Sequence, residues 1–355
     1  MLQNWFGQGE KSEADKDKVG LGPSRRPMIG LALGGGAARG FAHIGILRAL
    51  LERGIAPDVV VGTSIGAAVG GAFVTGHLDV FEDWARSLQP RSVLGYLDIQ
   101  LNGSGLIGGG KLAVELEHSI GRRLIEDLPV KFAAIATEVA TGHEIWLTRG
   151  RLVEAIRASY ALPGIFSPVM IGDRWLVDGA LVNPVPVSAA RALGAEIVIA
   201  VNLNADNFGH GGTIAAFGTP PDLQEMETPP PAPPPRGLGK LFSAERTMKR
   251  EFFGRPGIST VMVEAFNIMQ DRITRARLAG DPPDVLISPR VTKIGWFDFH
   301  RADEIIEHGR RAAERTIESI EEAIAILAPG YVALPATSTQ NGPEKPNDEA
   351  KAPAD

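Results

Sequence analysis

Gly62-Thr63-Ser64-Ile65-Gly66 forms a Gly-x-Ser-x-Gly pentapeptide. A serine in that setting is a candidate nucleophile when a strand runs into it and a helix leaves it. Both are expected here, a short apolar strand over residues 58–61 and a small-residue helix over 65–74. Gly62 and Gly66 let the chain turn sharply, which lifts the Ser64 hydroxyl out at the C-terminal edge of a sheet. Standing alone the five residues would be an ordinary turn; their strand–turn–helix context favours a nucleophile.

A second candidate element precedes it. Gly34-Gly35-Gly36-Ala37-Ala38-Arg39-Gly40 follows another apolar run, residues 28–33. Glycines there let backbone N–H groups approach a ligand unobstructed. One reading is a phosphate cradle at a helix N-terminus, although the loop lacks a Gly-Lys-Ser/Thr ending and carries Arg39 where Gly-x-Gly-x-x-Gly needs glycine. The other is an oxyanion hole, in which amides face developing negative charge. With a candidate nucleophile after the very next strand, the oxyanion reading is the stronger. Arg39 either braces the loop or binds a substrate phosphate, and bracing is favoured.

Asp178-Gly179-Ala180 closes a strand expected at residues 174–177. Catalytic groups of open α/β sheets gather at such ends, although Asp-Gly is also a common turn dipeptide. None of the seven histidines has a triad-like setting. His210 lies beside Gly211-Gly212, His300 precedes a helix and His308 sits on a charged helix face. His43 is expected to pack beside the glycine loop, and His77, His118 and His143 to lie at the surface.

The elements that must position these groups alternate. Residues 28–74 read strand, glycine loop, helix (41–53, with Ile44, Leu47, Leu50 and Leu51 on one stripe and Gly54 as its stop), strand, turn, helix. Helices between short apolar strands imply a parallel sheet covered on both faces. Further strands are expected at 132–137, 144–147, 197–203 and 284–288. Further helices are expected at 152–159, 187–193, 241–253 and 259–278, with one long final helix over 301–327. Eight prolines between residues 220 and 235 mark an insertion, at about 205–240, rather than a core element. The segments 1–27 and 331–355 read as polar tails flanking one domain, 28–330. Residues 240–255 carry five basic and two acidic side chains interleaved with apolar ones. They are expected to form either an interfacial helix or one packed over the domain.

Composition excludes several chemistries. With no cysteine among 355 residues there is no thiol nucleophile, disulfide or thiolate metal site. A net charge of −6 argues against a general affinity for nucleic acid. No metal and no cofactor are expected. The chain opens without the order of a signal peptide. The uncharged run 59–76 holds five glycines, and so suits a strand, turn and buried helix better than a membrane span. A cytoplasmic location, with peripheral membrane contact, is expected. Twelve of the 42 glycines fall within residues 30–76, where the loop and the turn need bare backbone.

In this order and spacing, the glycine loop with Arg39 and His43, the 62–66 pentapeptide and Asp178-Gly179-Ala180 resemble the patatin-like phospholipase family. Ala161-Leu162-Pro163-Gly164-Ile165-Phe166 and Asn183-Pro184-Val185-Pro186 look like further blocks of it. Glu126-Asp127-Leu128-Pro129 and residues 137–142 point to the bacterial branch related to the neuropathy target esterase catalytic domain. The likeness is strong over residues 29–203 and weaker over 284–327. It implies a three-layer α/β/α sandwich with a mainly parallel sheet. It also implies a Ser–Asp dyad without histidine, Ser64 as nucleophile and Asp178 as general base. Gly34, Gly35, Gly36 and Ala37 would surround the oxyanion, with Arg39, Gly62, Gly66 and Gly179 as motif support. The expected activity is hydrolysis of fatty-acyl esters of a phospholipid or lysophospholipid, reached at a membrane or micelle surface. Burial beside apolar groups would raise the Asp178 pKa and make it a better base. A catalytically weak adaptor on the same fold is the alternative. Pro184 after Asn183, where many relatives have a second asparagine, and the Pro-rich insertion depart from the family pattern.

Overall fold

The computed structural model describes residues 25–90, 105–107, 114, 116, 117, 120–205 and 258–329. Residues 1–24 of the expected N-terminal tail, the C-terminal tail at 331–355, the Pro-rich insertion, the helix at 241–253, the basic segment at 240–255, His118 and His210 lie outside the described residues. The strands are β1 (Ile29–Leu33), β2 (Val59–Thr63), β3 (Gly105–Ile107), β4 (Lys131–Glu138), β5 (Glu144–Leu147), β6 (Gly164–Phe166), β7 (Val169–Ile171), β8 (Arg174–Asp178), β9 (Ile197–Val201) and β10 (Val285–Ile287). The α-helices are α1 (Ala42–Glu52), α2 (Ile65–Val74), α3 (Leu78–Ser87), α4 (Leu152–Ser159), α5 (Val187–Ala192), α6 (Ile258–Gly280), α7 (Ala302–Glu314) and α8 (Ile317–Leu327).

The main sheet runs β10-β9-β1-β2-β4-β8-β7, with β5 also paired to β4. The five strands from β10 to β4 are parallel, whereas β5, β8 and β7 join antiparallel. Alternate side chains feed two cores. Leu31, Leu33, Val60, Ile197 and Ile199 face a large core containing residues of α1, α2, α4, α7 and α8. Ala32, Val59, Val61, Val198 and Ala200 face a smaller one with α5, against which Leu278 of α6 packs. Helices on both faces of a mainly parallel sheet make the fold a three-layer α/β/α sandwich.

Register brings the loops of interest to one edge. Leu33 pairs with both Gly62 and Val201. The glycine loop, the Ser64 turn and residues 202–204 therefore leave the sheet together, at the carboxyl ends of adjacent parallel strands.

The final helix is two helices rather than one. The Thr316 hydroxyl donates to the carbonyls of Ala312 (2.8 Å) and Ala313 (3.0 Å), and the chain turns between Glu314 and Ile317. Such back-bonding competes with helix continuation. Residues 105–107 form β3, paired with β6 in a second, two-stranded sheet. Among the described residues no helix is long and apolar enough to cross a membrane.

α1 and α7 cross closely, each setting a glycine against the backbone of the other. A Cβ on Gly45 would overlap the backbone of Ile306, and one on Gly309 would overlap the backbone of Ala42.

Candidate active site

Ser64 stands between β2 and α2 with φ 57° and ψ −123°, a left-handed conformation that costs a non-glycine residue about 1–3 kcal/mol. The surroundings hold it there. Gly62 lies against the backbone of Gly66 and Ala67, and Gly66 against the carbonyl of Leu33, so that a Cβ at either would overlap main chain. The Ser64 N–H donates to the buried Ser159 hydroxyl at 2.9 Å. Gly70 and Gly71 let α2 sink onto Val60 of β2 and Ile156 of α4.

Asp178 ends β8, and the antiparallel pairing of β8 with β4 places it opposite Ala136. Its Oδ2 accepts the Ser64 hydroxyl at 2.7 Å. Its Oδ1 accepts the N–H of Ala180 at 2.8 Å, and its main-chain oxygen accepts the Thr137 hydroxyl at 2.9 Å. Gly179 permits this turn, because a Cβ there would overlap the Ile135 carbonyl. Asp178 is 2% exposed. Burial pushes its carboxyl up from 3.8 to about 6, against the opposing hydrogen bonds from Ala180 and Ser64. The carboxylate is therefore oriented by two donors and more basic than an exposed one.

Among the described residues, two of the amides from Gly34 to Ala37 are taken up by the fold and two are not. Gly34 N–H donates to Val201 O at 3.1 Å and Gly35 N–H to Pro184 O at 3.0 Å, so those two amides hold the loop to β9 and to residue 184. Both amides are thus engaged within the fold. The amides of Gly36 and Ala37 have no backbone partner among the described residues, and both residues line the cavity that holds Ser64 and Asp178. Ala37 is, like Ser64, a non-glycine residue at positive φ, 50°. Beyond them Ala38 N–H is taken by Trp296 O at 3.1 Å. Gly35 still approaches closely: a Cβ there would touch those of Ser64 (3.5 Å) and Ala180 (3.4 Å).

Arg39 braces the loop. It is 5% exposed, and its guanidinium donates to Ile294 O (2.9 Å) and to Asn204 Oδ1 (3.0 Å). His43 is fully buried 2.8 Å from the Gly34 carbonyl. Burial lowers its pKa to about 4, opposed by that hydrogen bond. A neutral ring donating from Nε2 satisfies the carbonyl left by the loop's turn. His143 is exposed, His300 lies in a short 3-10 turn, and His308 reaches only Glu304 at 3.8 Å. None of the described histidines is hydrogen-bonded to Ser64 or Asp178.

A model of the family described as Patatin-like phospholipase matches residues 31–191. An uncharacterized NTE family protein of Mycobacterium tuberculosis is 32% identical over 345 residues, covering 84% of this chain and 93% of that protein. The chain belongs to the patatin-like phospholipase family. The lysophospholipase NTE1 of Pyricularia oryzae is 28% identical over 307 residues, covering 84% of this chain and 19% of that one. Both are similar to this patatin-like chain along most of its length, in keeping with the NTE-related branch.

The patatin-like cavity is completed by residues that sequence reasoning missed. Gln270 of α6 and the segment Trp296, Phe297 and Phe299 line it together with Ser64 and Asp178. They come from the last third of the chain, beyond the span of the family model. α3 was missed as well and supplies Phe81 and Trp84 to the lining; the polar–apolar alternation in residues 78–87, with Leu78, Phe81 and Ala85 turned inward, was the available signal. Phe41 packs edge-on against Phe81, Trp84 and Phe299, and Phe81 and Trp84 meet at a tilt, with centroids 5.3–6.3 Å apart, as one aromatic wall.

Proposed function

We propose that this chain is a serine acyl hydrolase of lipid esters, of the phospholipase or lysophospholipase type, working through Ser64 and Asp178. The observation that carries the reading is the 2.7 Å hydrogen bond from the hydroxyl of Ser64, whose backbone is held at positive φ, to a buried carboxylate with raised pKa. Family membership supports a lipid substrate. So does the cavity, whose walls are almost wholly hydrocarbon and aromatic.

Ser64 Oγ attacks the ester carbonyl while Asp178 Oδ2 accepts its proton. The N–H groups of Gly36 and Ala37 receive the developing oxyanion. The C–O bond to the alcohol breaks, with the alkoxide taking the proton from Asp178, and an acyl-enzyme remains on Ser64. A water, deprotonated by Asp178, then releases the fatty acid and restores the serine. A free carboxylate near pKa ~3.9 is a weak base for this step, and the upward shift of Asp178 narrows that mismatch. The substrate is met at a membrane or micelle surface, with the protein bound there transiently.

A fluorophosphonate probe, with fatty-acid release from lysophosphatidylcholine as a second readout, tests the reading. Wild-type protein should label and release fatty acid, and Ser64→Ala should do neither. Folded wild-type protein that neither labels nor hydrolyses overturns the proposal in favour of the adaptor role.

A further inference from the structure

Gln270 takes no part in that reaction, yet its side chain enters the cavity with one end selected. It is 4% exposed and lines the same cavity as Ser64 and Asp178. Which end of its amide faces the cavity follows from its neighbours. A guanidinium has only donors. The Asn204 atom 3.0 Å from Arg39 Nη1 must therefore be Oδ1. Asn204 then turns Nδ2 towards Gln270, and the atom receiving it at 3.2 Å must be Oε1. What remains is Gln270 Nε2, whose two N–H groups have no partner among the described residues. A permanent cation thus sets, through two amides in series, the polarity of a group inside the cavity.

That donor belongs to a cavity otherwise lined largely by hydrocarbon and aromatic side chains, Phe41, Ile165, Phe166 and Phe299 among them. An acyl chain offers it nothing, and the ester carbonyl is assigned to Gly36 and Ala37. An amide donor left unmatched when ligand displaces water costs about 1–3 kcal/mol. The remaining acceptors on a lipid ester are the oxygens of its polar end. We propose that Gln270 is a specificity-determining residue whose Nε2 donates a hydrogen bond to an oxygen of the lipid's glycerophosphate portion. The cavity then prefers glycerophospholipids over esters that lack such an oxygen. The substrate class rests on the hydrolase reading above; the direction of the Gln270 amide does not.

The test compares binding of an alkyl-ether lysophosphocholine with that of an alkyltrimethylammonium of the same chain length, both below their micelle concentrations. The two share the chain and the cationic end and differ in the glycerophosphate oxygens. Neither has a scissile ester, so loss of hydrolysis leaves this measurement intact. Failure of the hydrolase reading is scored separately, by fluorophosphonate labelling. Wild-type protein should prefer the lysophosphocholine. Gln270→Met should weaken its binding roughly 10- to 100-fold and leave the alkyltrimethylammonium unchanged. Asn204→Asp keeps an acceptor for Arg39 but presents a second acceptor to Gln270. The amide then reverses and turns Oε1 to the cavity, and the same selective loss should follow with Gln270 intact. Unchanged preference in both variants, or equal weakening of both ligands, overturns the proposal. Loss in Gln270→Met alone overturns the relay through Asn204.

Discussion

At the scale of the residue, the proposed centre depends on a carboxylate held where ionisation is expensive. Asp178 has a native pKa of about 6 against 3.8 in the open chain. Between those values the folded state binds more protons than the unfolded one, so stability falls as pH rises through the window and the full cost persists above it. The difference corresponds to roughly 2–3 kcal/mol, on the scale of about 1.4 kcal/mol per unit. Asp178→Asn should therefore be inactive yet more stable than wild type at pH 8, with the gain shrinking towards pH 4. Urea denaturation at several pH values measures this; a constant or negative difference would refute it. The acyl-transfer rate should rise with pH through an apparent pKa near 6, because only the ionised form accepts the serine proton. A kcat/KM profile on an ester with an uncharged leaving alcohol reads that limb directly.

At the scale of the element, bare backbone at helix contacts decides how closely the layers approach. Gly45 and Gly309 each lie against main chain of the opposite helix, where no side-chain rotation can relieve a methyl group. Gly45→Ala and Gly309→Ala should each cost more than about 2 kcal/mol in urea denaturation, because α1 and α7 must separate. The double variant should cost less than the sum, because one separation accommodates both methyls. Single variants within 0.5 kcal/mol of wild type, roughly the size of a surface effect, would contradict this.

How much of this was legible in the sequence follows the range of each interaction. The β1–α1–β2–α2 unit was readable because its signals are local: short apolar runs, a helical stripe and glycines at the turns. β3, β6 and β7 span three residues each, too short for a period to declare itself. The break at Thr316 has no proline or glycine to announce it. Ser64 and Asp178 could be singled out because each sits in a motif of its own. The use of the Gly34 and Gly35 amides could not, since their acceptors are Val201 and Pro184, far along the chain. Gln270 carries no local mark; its meaning comes from Arg39 and Asn204, which only the fold brings beside it.

At the scale of the whole molecule, the site depends on both ends of the described chain. Ser64, Asp178 and the glycine loop lie within residues 31–191, the span matched by the family model. Arg39 is nonetheless anchored on Ile294 and Asn204, α1 is covered by α7, and a cavity wall comes from Gln270, Trp296 and Phe299. A fragment of residues 25–203 leaves that face of α1 bare and the Arg39 guanidinium without its Ile294 acceptor. It should show no cooperative urea transition and no fluorophosphonate labelling. A fragment that unfolds cooperatively and still labels would mean that the last third of the chain is dispensable for the centre.

The glycine contact between α1 and α7 also orders events in time. A ribosome delivers Ser64 and Asp178 well before Gly309, and for that interval the nascent chain carries the proposed nucleophile and base without the helix that seats α1. On the proposed reading the centre becomes competent only once α7 has emerged and packed against α1, which makes that helix the arming step.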